Sequence, residues 1–248
     1  MTKNIKRKGV IIAAGIGTRL GDSGQNQAKP MISVAGKPLL IRAIKGLEIA
    51  GCHEIIIILG WQAEKIEKEI SEKYSGSSSL RFVFNKFYRL KNGISVLNAK
   101  SFVEEEFILT MADHIFDKNI MRLISDHHPP PLGATLCVDY KLDTIFDMDD
   151  ATKVFAEGPI IRAIGKNLKK YNCIDSGLFI GTTGLFDAIS RIYEKTGDAS
   201  LSEGVQLLAK GGKMEALDIK NAFWQDVDTL EMKEHAKGLL LRRGNDSR

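Results

Sequence analysis

The chain has 248 residues, 44% hydrophobic and 27% charged, with a formal net charge of +4. That length suits one α/β domain with a large core, and the interior charges are too well mixed for the basic stripe of a nucleic-acid binder. Cys52, Cys137 and Cys173 are odd in number and lie far apart without C-x-x-C spacing, which indicates neither a disulfide framework nor a zinc site and points to a reducing cytoplasm.

The N-terminal Met-Thr-Lys-Asn-Ile-Lys-Arg-Lys has no apolar signal region, and the basic residues at both ends, Arg7 and Arg242 among them, read as solvated. No apolar run approaches the roughly 20 residues of a membrane helix; residues 55–59 are the densest. The first element is a buried strand at residues 9–14, which passes directly into a glycine turn. Open α/β sheets place ligands at such strand ends. Gly15 and Gly17 can take positive φ and carry no side chain, so backbone N–H groups from Ala14 to Thr18 can close on phosphate oxygens. Arg19 puts a cation beside the turn, and Lys29, ten positions later, adds another on an arm kept extended by Pro30. No window fits the P-loop pattern, and the absence of any acid between Asp22 and Glu48 argues against a dinucleotide fold.

Pro38 reads as the first residue of a helix whose Leu40, Ala43, Ile44 and Leu47 share a face until Gly51. A buried strand follows at 54–59, then a helix with Ile66, Ile70 and Tyr74 inward and a Glu64–Lys68 pair outside. Residues 75–79 form a loop, and further strands are expected at 80–84 and 106–112. In Asn92-Gly93-Ile-Ser95 the glycine permits close approach and the short hydroxyl suits a base or ribose, with helix capping by Asn92 or Ser95 an equal alternative.

The second half changes character. The Pro129-Pro-Pro131 break and five aspartates between Asp139 and Asp150 suggest an insertion covering the site. Capping-box patterns at Ser200–Glu203 and Asp228–Glu231 predict two helix starts. The whole reads as a single three-layer domain over 1–248, a Rossmann-like fold with a mostly parallel mixed sheet. Residues up to about 115 form a nucleotide-binding half, and 116–248 form the acceptor and metal half.

Mg²⁺ binds one or two carboxylates together with phosphate oxygens. Asp113 ends an apolar strand at the same sheet edge as the glycine turn, with a surface turn as the plain alternative. Asp226 and Asp228 are two apart, so in an extended segment both face one side; Asp228 is placed to cap the next helix, which leaves Asp226 as the better ligand. Asp175 can accept two hydroxyls of an acceptor, or serve as a turn residue. His114, His127 and His128 lack metal-ligand spacing and read as loop or surface, while Trp61 and Trp224 read as core.

These pieces resemble the nucleotidyltransferases that activate sugar phosphates. Their signature is a glycine turn ending in Gly-Thr-Arg, a Lys-Pro, and a Gly-Lys-Pro-Leu, here at 15–19, 29–30 and 36–39. The similarity continues in Ala112-Asp113, Ile174–Gly177 and Trp224–Asp228, and the wording of Asp150-Ala-Thr-Lys-Val154, Ile164-Gly-Lys166 and Ile174-Asp-Ser-Gly-Leu-Phe179 is most similar to CTP:inositol-1-phosphate cytidylyltransferases. The resemblance implies a nucleotide-diphospho-sugar transferase fold, CTP and a small phosphate ester as substrates, and Mg²⁺ as cofactor. It implies Arg19 and Lys29 as catalytic cations, Lys153 on the acceptor phosphate, a nucleotide contact near Asn92, and a link to a membrane enzyme that uses the CDP-alcohol. Phosphocholine and sugar 1-phosphates are the rival acceptors. An inactive binding subunit and a glycosyltransferase are the rival classes.

Overall fold

The structure, a computed structural model, describes residues 7–17 and 28–245, with side chains through residue 242. In the first half, β1 (Lys8–Ala13) runs into the glycine turn, and β2 (Ser33–Val34) and β3 (Lys37–Pro38) form a small ribbon before α1 (Leu39–Ile49). Pro38 therefore ends a strand and N-caps the helix instead of opening it. Next come β4 (Glu54–Leu59), α2 (Ala63–Lys73), β5 (Ser79–Phe84), α3 (Asn92–Leu97), β6 (Phe107–Met111), β7 (His114–Phe116) and α4 (Lys118–Ser125). On α2 the ion pair joins Glu69 and Lys73 at 3.0 Å, one turn beyond the expected Glu64–Lys68.

The second half contains β8 (Ala134–Asp139), β9 (Lys153–Glu157), β10 (Ile160–Gly165), β11 (Cys173–Gly181), α5 (Thr183–Thr196), α6 (Leu201–Lys210), β12 (Met214–Asp218), β13 (Trp224–Asp226) and α7 (Leu230–Asn245). Every residue of β8 is buried, so the chain after the proline break first builds a core strand. Of the aspartate-rich stretch between Asp139 and Asp150, the far end is what reaches the cleft described below, in a loop that includes Asp150 to Thr152. No helix among the described residues is long and apolar enough to cross a membrane.

Nine strands form one sheet in the order β5-β4-β1-β6-β11-β8-β12-β10-β9. The first four pair in parallel, because each connection crosses back over a face of the sheet. Beyond β6 the sheet is mixed, with β11 antiparallel to both neighbours and β12 parallel to β8. Alternation along β1 divides the core. Val10 and Ile12 join one apolar cluster with α3, α5 and α6; Ile11 and Ala13 join the other with α1, α2 and α4. Both faces are thus covered, the condition under which a parallel strand can be apolar along its whole length.

Arg7, expected to be solvated, is 5% exposed. Its guanidinium donates to Glu106 at 2.6 Å and to the carbonyls of Ile124, Ser125 and His127. Those carbonyls lie at the C-terminal end of α4, where the helix dipole favours a cation.

Candidate active site

The chain leaves β1 for β4 and β5 on one side, then crosses back to place β6 on the other side of β1. At such a reversal the two strand ends diverge and leave a crevice at the sheet's C-terminal edge. Two adjoining hollows, about 320 and 390 Å³, occupy it and share Ile12, Gly15, Asp113 and Asp228 as a common wall.

The first hollow contains Gly15, Gly17 and Lys29. Gly17 has φ +68°, and a Cβ there would stand 2.6 Å from the Lys29 Cβ, so the turn passes where only glycine fits. Gly15 lines the hollow without positive φ. Ala14 does not line it: the residue is buried and its carbonyl accepts from Trp61 N. Thr18 and Arg19 lie outside the described residues.

Lys29 begins a single 3-10 turn, Lys29–Met31, with Pro30 immediately after it. Its Nζ donates to Asp113 Oδ2 at 2.5 Å and to an Asp228 carboxylate oxygen. Burial alone would lower the ammonium's pKa, but the charges of Asp113 and Asp228 overcome it and raise the value. Asp228 is therefore not the cap of α7. Thr229 has that role, its hydroxyl accepting from Met232 N at 3.2 Å.

Asp113 follows β6 by one residue beyond Ala112, and its backbone carbonyl accepts from Val227 N at 3.0 Å. That bond and the β7–β13 ribbon, in which Asp226 faces His114, bring Asp113 and Asp226 to the same region. Burial pushes the Asp113 carboxyl up, yet Lys29 and His114 hold it well below the usual carboxylate range. For Asp226 the balance is reversed. Burial raises its pKa, and the neighbouring anions Asp228 and Asp113 add to the rise against His114. Among the described residues, no three His, Cys, Asp or Glu side chains are placed to hold a metal by themselves.

His114, read from sequence as loop or surface, lines the second hollow. Its Nδ1 lies 2.6 Å from Asp113 Oδ1, and its ring stacks on Trp224 at 5.9 Å between centroids. Burial disfavours the imidazolium, but Asp113 outweighs this and raises the pKa. Trp224 is a platform as well as a core residue, and its indole N–H donates to Asp139 at 3.1 Å. The direct adjacency of His114 to Asp113 was the sequence signal available for this residue.

Asp175 lines the second hollow where β11 is irregular, and accepts from Gly177 N at 2.7 Å. Burial pushes its carboxyl up to about 6. Gly177 has φ +76°, and a Cβ there would meet His114 Nε2 at 2.5 Å. Gly177→Ala is expected to displace the imidazole and cost about 1–3 kcal/mol, read as a melting-temperature drop of roughly 2–10 °C together with lost turnover.

Asn92 and Ser95 also line this hollow. Asn92 Oδ1 accepts from Leu201 N, so it caps the first turn of α6 and not its own helix. Ser95 is buried and accepts from Asn85. Gly93 is turned away: a Cβ would meet the Ala199 carbonyl at 2.5 Å, so its small size serves the packing of α3 against the start of α6.

Lys153 also departs from expectation. It is buried at the start of β9 with Nζ on the Asp149 carbonyl at 3.1 Å, and the hollow is lined by Lys166 instead. Lys166 is exposed and ion-paired with Asp150. Its signal was present in Ile164-Gly-Lys166.

A family profile described as Nucleotidyl transferase matches residues 8–237. The chain belongs to the nucleotidyl transferase family. A protein of Rubrobacter xylanophilus named bifunctional IPC transferase and DIPP synthase is 34% identical over 97% of this chain and 55% of its own length. A protein of the same name from Aquifex aeolicus is 31% identical over 94% and 51%. The chain thus spans about half the length of these curated relatives. The inositol-1-phosphate CTP transferase of T. maritima superposes with a TM-score of 0.80, 24% identity and 91% coverage of each chain. A UDP-glucose pyrophosphorylase with UDP-glucose gives 0.80, 17% identity, and coverage of 96% and 100%. Such likeness shows the nucleotide-diphospho-sugar transferase fold. Nucleotidyl transferases of this family generally use a divalent metal.

Proposed function

We propose that this nucleotidyl transferase domain joins CTP and inositol 1-phosphate, releasing pyrophosphate and CDP-inositol. The observation that carries the reading is the pair of hollows meeting at Asp113, one with Lys29 and the other with Asp175 and Lys166. Two anionic substrates can enter from opposite sides and meet at one carboxylate. The names of the relatives and of the T. maritima structure support the choice of base and acceptor.

In the reaction an oxygen of the acceptor phosphate attacks the α-phosphorus of CTP, and the bond to the β-phosphate oxygen breaks. A phosphate monoester has a second pKa near ~6 and is largely dianionic at neutral pH, so it needs no general base. The protein's task is alignment and charge neutralisation. Lys29 receives the charge that builds on the pyrophosphate side. Asp113 and Asp226 would hold Mg²⁺ by their carboxylate oxygens, and the ion would neutralise charge on the transferring phosphoryl group. Burial and the neighbouring anions Asp228 and Asp113 outweigh His114 and raise the Asp226 pKa, a balance that a bound cation would relieve. His114 fixes the orientation of Asp113.

On the acceptor side Asp175, ionised at neutral pH, accepts hydroxyl hydrogens, and Lys166 leaves Asp150 to take the acceptor phosphate. Lys166→Ala is expected to raise the acceptor KM about 10-fold or more while leaving the CTP KM near native, measured by initial rates with each substrate varied. The reading extends to a membrane enzyme that consumes the CDP-alcohol.

The test is pyrophosphate release with Mg²⁺, crossing CTP, UTP, GTP and ATP with inositol 1-phosphate, phosphocholine and glucose 1-phosphate. Turnover confined to CTP with inositol 1-phosphate is expected. A different productive pair would correct the substrates, and silence from folded protein in every combination would overturn the reading.

A further inference from the structure

Asp139 is the last residue of β8, and β8 runs parallel to β6 because both are antiparallel to β11. Asp139 therefore reaches the same sheet edge as Asp113, and two strand spacings, about 10 Å, separate the two strand ends. It is a carboxylate, yet only 3% exposed. One oxygen accepts from the backbone N–H of Lys141 at 2.8 Å and from Lys141 Nζ at 2.7 Å; the other accepts from the Trp224 indole N–H. Lys141 Nζ also donates to the Lys220 carbonyl at 2.7 Å, in the connection between β12 and β13. The carboxylate is thus held by its neighbour and has one oxygen left for the tryptophan.

Trp224 spans the gap between the strand ends. An indole has a single N–H, so the acceptor it meets fixes how the ring lies. That ring is inclined by 9° to the ring of His114, at a separation within the range for offset stacks. The imidazole reaches Asp113 with Nδ1, so a line of contacts runs from Asp139 through Trp224 and His114 to Asp113. Trp224 also begins β13, whose pairing with β7 is a ribbon of three residues a side, separate from the nine-stranded sheet. A two-stranded ribbon has little stability of its own. Asp226 lies two residues along β13 and lines the second hollow together with Trp224. The bond to Asp139 ties that ribbon to β8 in the main sheet.

We propose that Asp139 is a positioning residue: by holding the Trp224 indole it sets the lie of His114 and of β13, and through them the direction of the Asp113 and Asp226 carboxylates. The proposal rests on the reading of the cleft as a nucleotidyl-transfer site. Asp139 touches no substrate. It governs how well two carboxylates converge on one ion, and loss of a partner that orients ligands in this way changes metal affinity or activity by about 10–100-fold.

The experiment compares the native protein with Asp139→Leu, which removes the acceptor at similar volume, Asp139→Asn, which keeps an oxygen for the indole, and Trp224→Phe, which keeps an aromatic ring and loses the N–H. In Asp139→Leu and Trp224→Phe, kcat is expected to fall about 10-fold and the half-saturating Mg²⁺ concentration to rise about 10-fold, while the CTP KM at saturating Mg²⁺ stays near native. Asp139→Asn should recover most of both losses. The double variant Asp139→Leu/Trp224→Phe should be no worse than the worse single variant, since the two changes break one bond. Two readouts are independent of turnover. The Mg²⁺ concentration that gives half of the full rise in melting temperature should shift by the same factor as the kinetic requirement. Hydrogen exchange of the Trp224 indole N–H, followed by NMR in metal-free protein, should be faster in Asp139→Leu and native-like in Asp139→Asn.

Native-like kcat and Mg²⁺ dependence in Trp224→Phe would overturn the proposal, as would additive losses in the double variant. A lower melting temperature in both Asp139 variants with native-like Mg²⁺ dependence would also overturn it, by reducing Asp139 to a structural partner of Lys141. If Asp139→Leu does not fold, Trp224→Phe and Asp139→Asn decide the question. If the native protein turns over no substrate pair, the reading of the reaction fails, and the Mg²⁺-dependent melts and indole exchange still decide the role of Asp139.

Discussion

Lys29→Ala is expected to reduce kcat at least about 1,000-fold in the pyrophosphate-release assay, the scale on which a single cation at a transferring phosphoryl group acts. The chemistry leaves little for any other group to replace. The acceptor is already ionised, so the barrier lies in bringing anions together, and Lys29 is the described cation in the hollow of the glycine turn. The same substitution should also be felt in stability. It strands Asp113 and Asp228 opposite each other without their shared ammonium. The pair is mostly buried, and breaking such a pair by removing one partner leaves an uncompensated charge, costing on the order of 1–3 kcal/mol at this degree of exposure. The sign is set by the carboxyl of Asp113, whose folded pKa Lys29 and His114 hold low. A depressed carboxylate stabilises the fold above its unfolded pKa and loses that contribution as the pH falls. The Lys29→Ala deficit should accordingly be present in full from neutral pH down to about pH 4, near the ordinary aspartate value, and shrink only as the pH falls below it, as followed by thermal melts from pH 7 to pH 2. Equal melting temperatures at both ends would remove the ion pair from the stability argument, and native-like turnover would remove Lys29 from the mechanism.

Asp226→Asn is expected to reduce turnover about as severely and to act on stability in the opposite direction. Burial and the adjacent Asp228 and Asp113 raise the Asp226 carboxyl above its ordinary value. A carboxyl with a raised folded pKa favours the fold while protonated, and this advantage is lost as the pH rises through the folded value. At neutral pH the metal-free native protein therefore bears the cost of burying a carboxyl beside two anions, and the neutral amide removes it. Melts in EDTA at pH 7.5 should show Asp226→Asn equal to or more stable than native, with the gain vanishing near pH 4. Added Mg²⁺ should raise the native melting temperature and leave that of the variant nearly unmoved, since ligands stabilise only the state that binds them. A variant that gains as much from Mg²⁺ as the native protein would exclude Asp226 as a ligand. Catalytic centres commonly hold such unfavourable charges, because the arrangement that serves the bound substrates is strained without them.

The parallel half of the fold was legible because its signals are local and strong. The run at 54–59 occurs as β4 with those bounds, and the glycine turn follows β1 as its apolar run required. Asp113, Asp226 and Asp175 were legible as cleft residues because each ends or interrupts an apolar strand segment. What escaped was tertiary. Pattern alone made Asp228 a helix cap, and only the approach of Lys29 redirects its carboxylate while Thr229 takes over the cap. Lys153 and Lys166 flank the β9–β10 hairpin, and which of them faces the cleft depends on how that hairpin lies on the sheet. Gly93 read as a place for close approach, which it is, but the neighbour is the backbone of Ala199 and Ser200. Arg7 seemed a solvated terminal charge because the carbonyls that bury it belong to the end of α4, more than a hundred residues away.

The ion pair between Lys29 and Asp228 also sets an order of events during synthesis. It closes across 199 residues, among the longest separations in the molecule. Local helices and the β1–β4–β5 unit can form while the chain is still emerging, since domains fold as their residues become available. The glycine turn would then exist early, without the carboxylates that restrain its lysine. Contacts of such long sequence separation form late, after the entropy of loop closure has been overcome. A nascent chain stopped before residue 226 has the phosphate turn and lacks the centre, so capacity for turnover should arrive abruptly with the last strand and helix instead of growing with length.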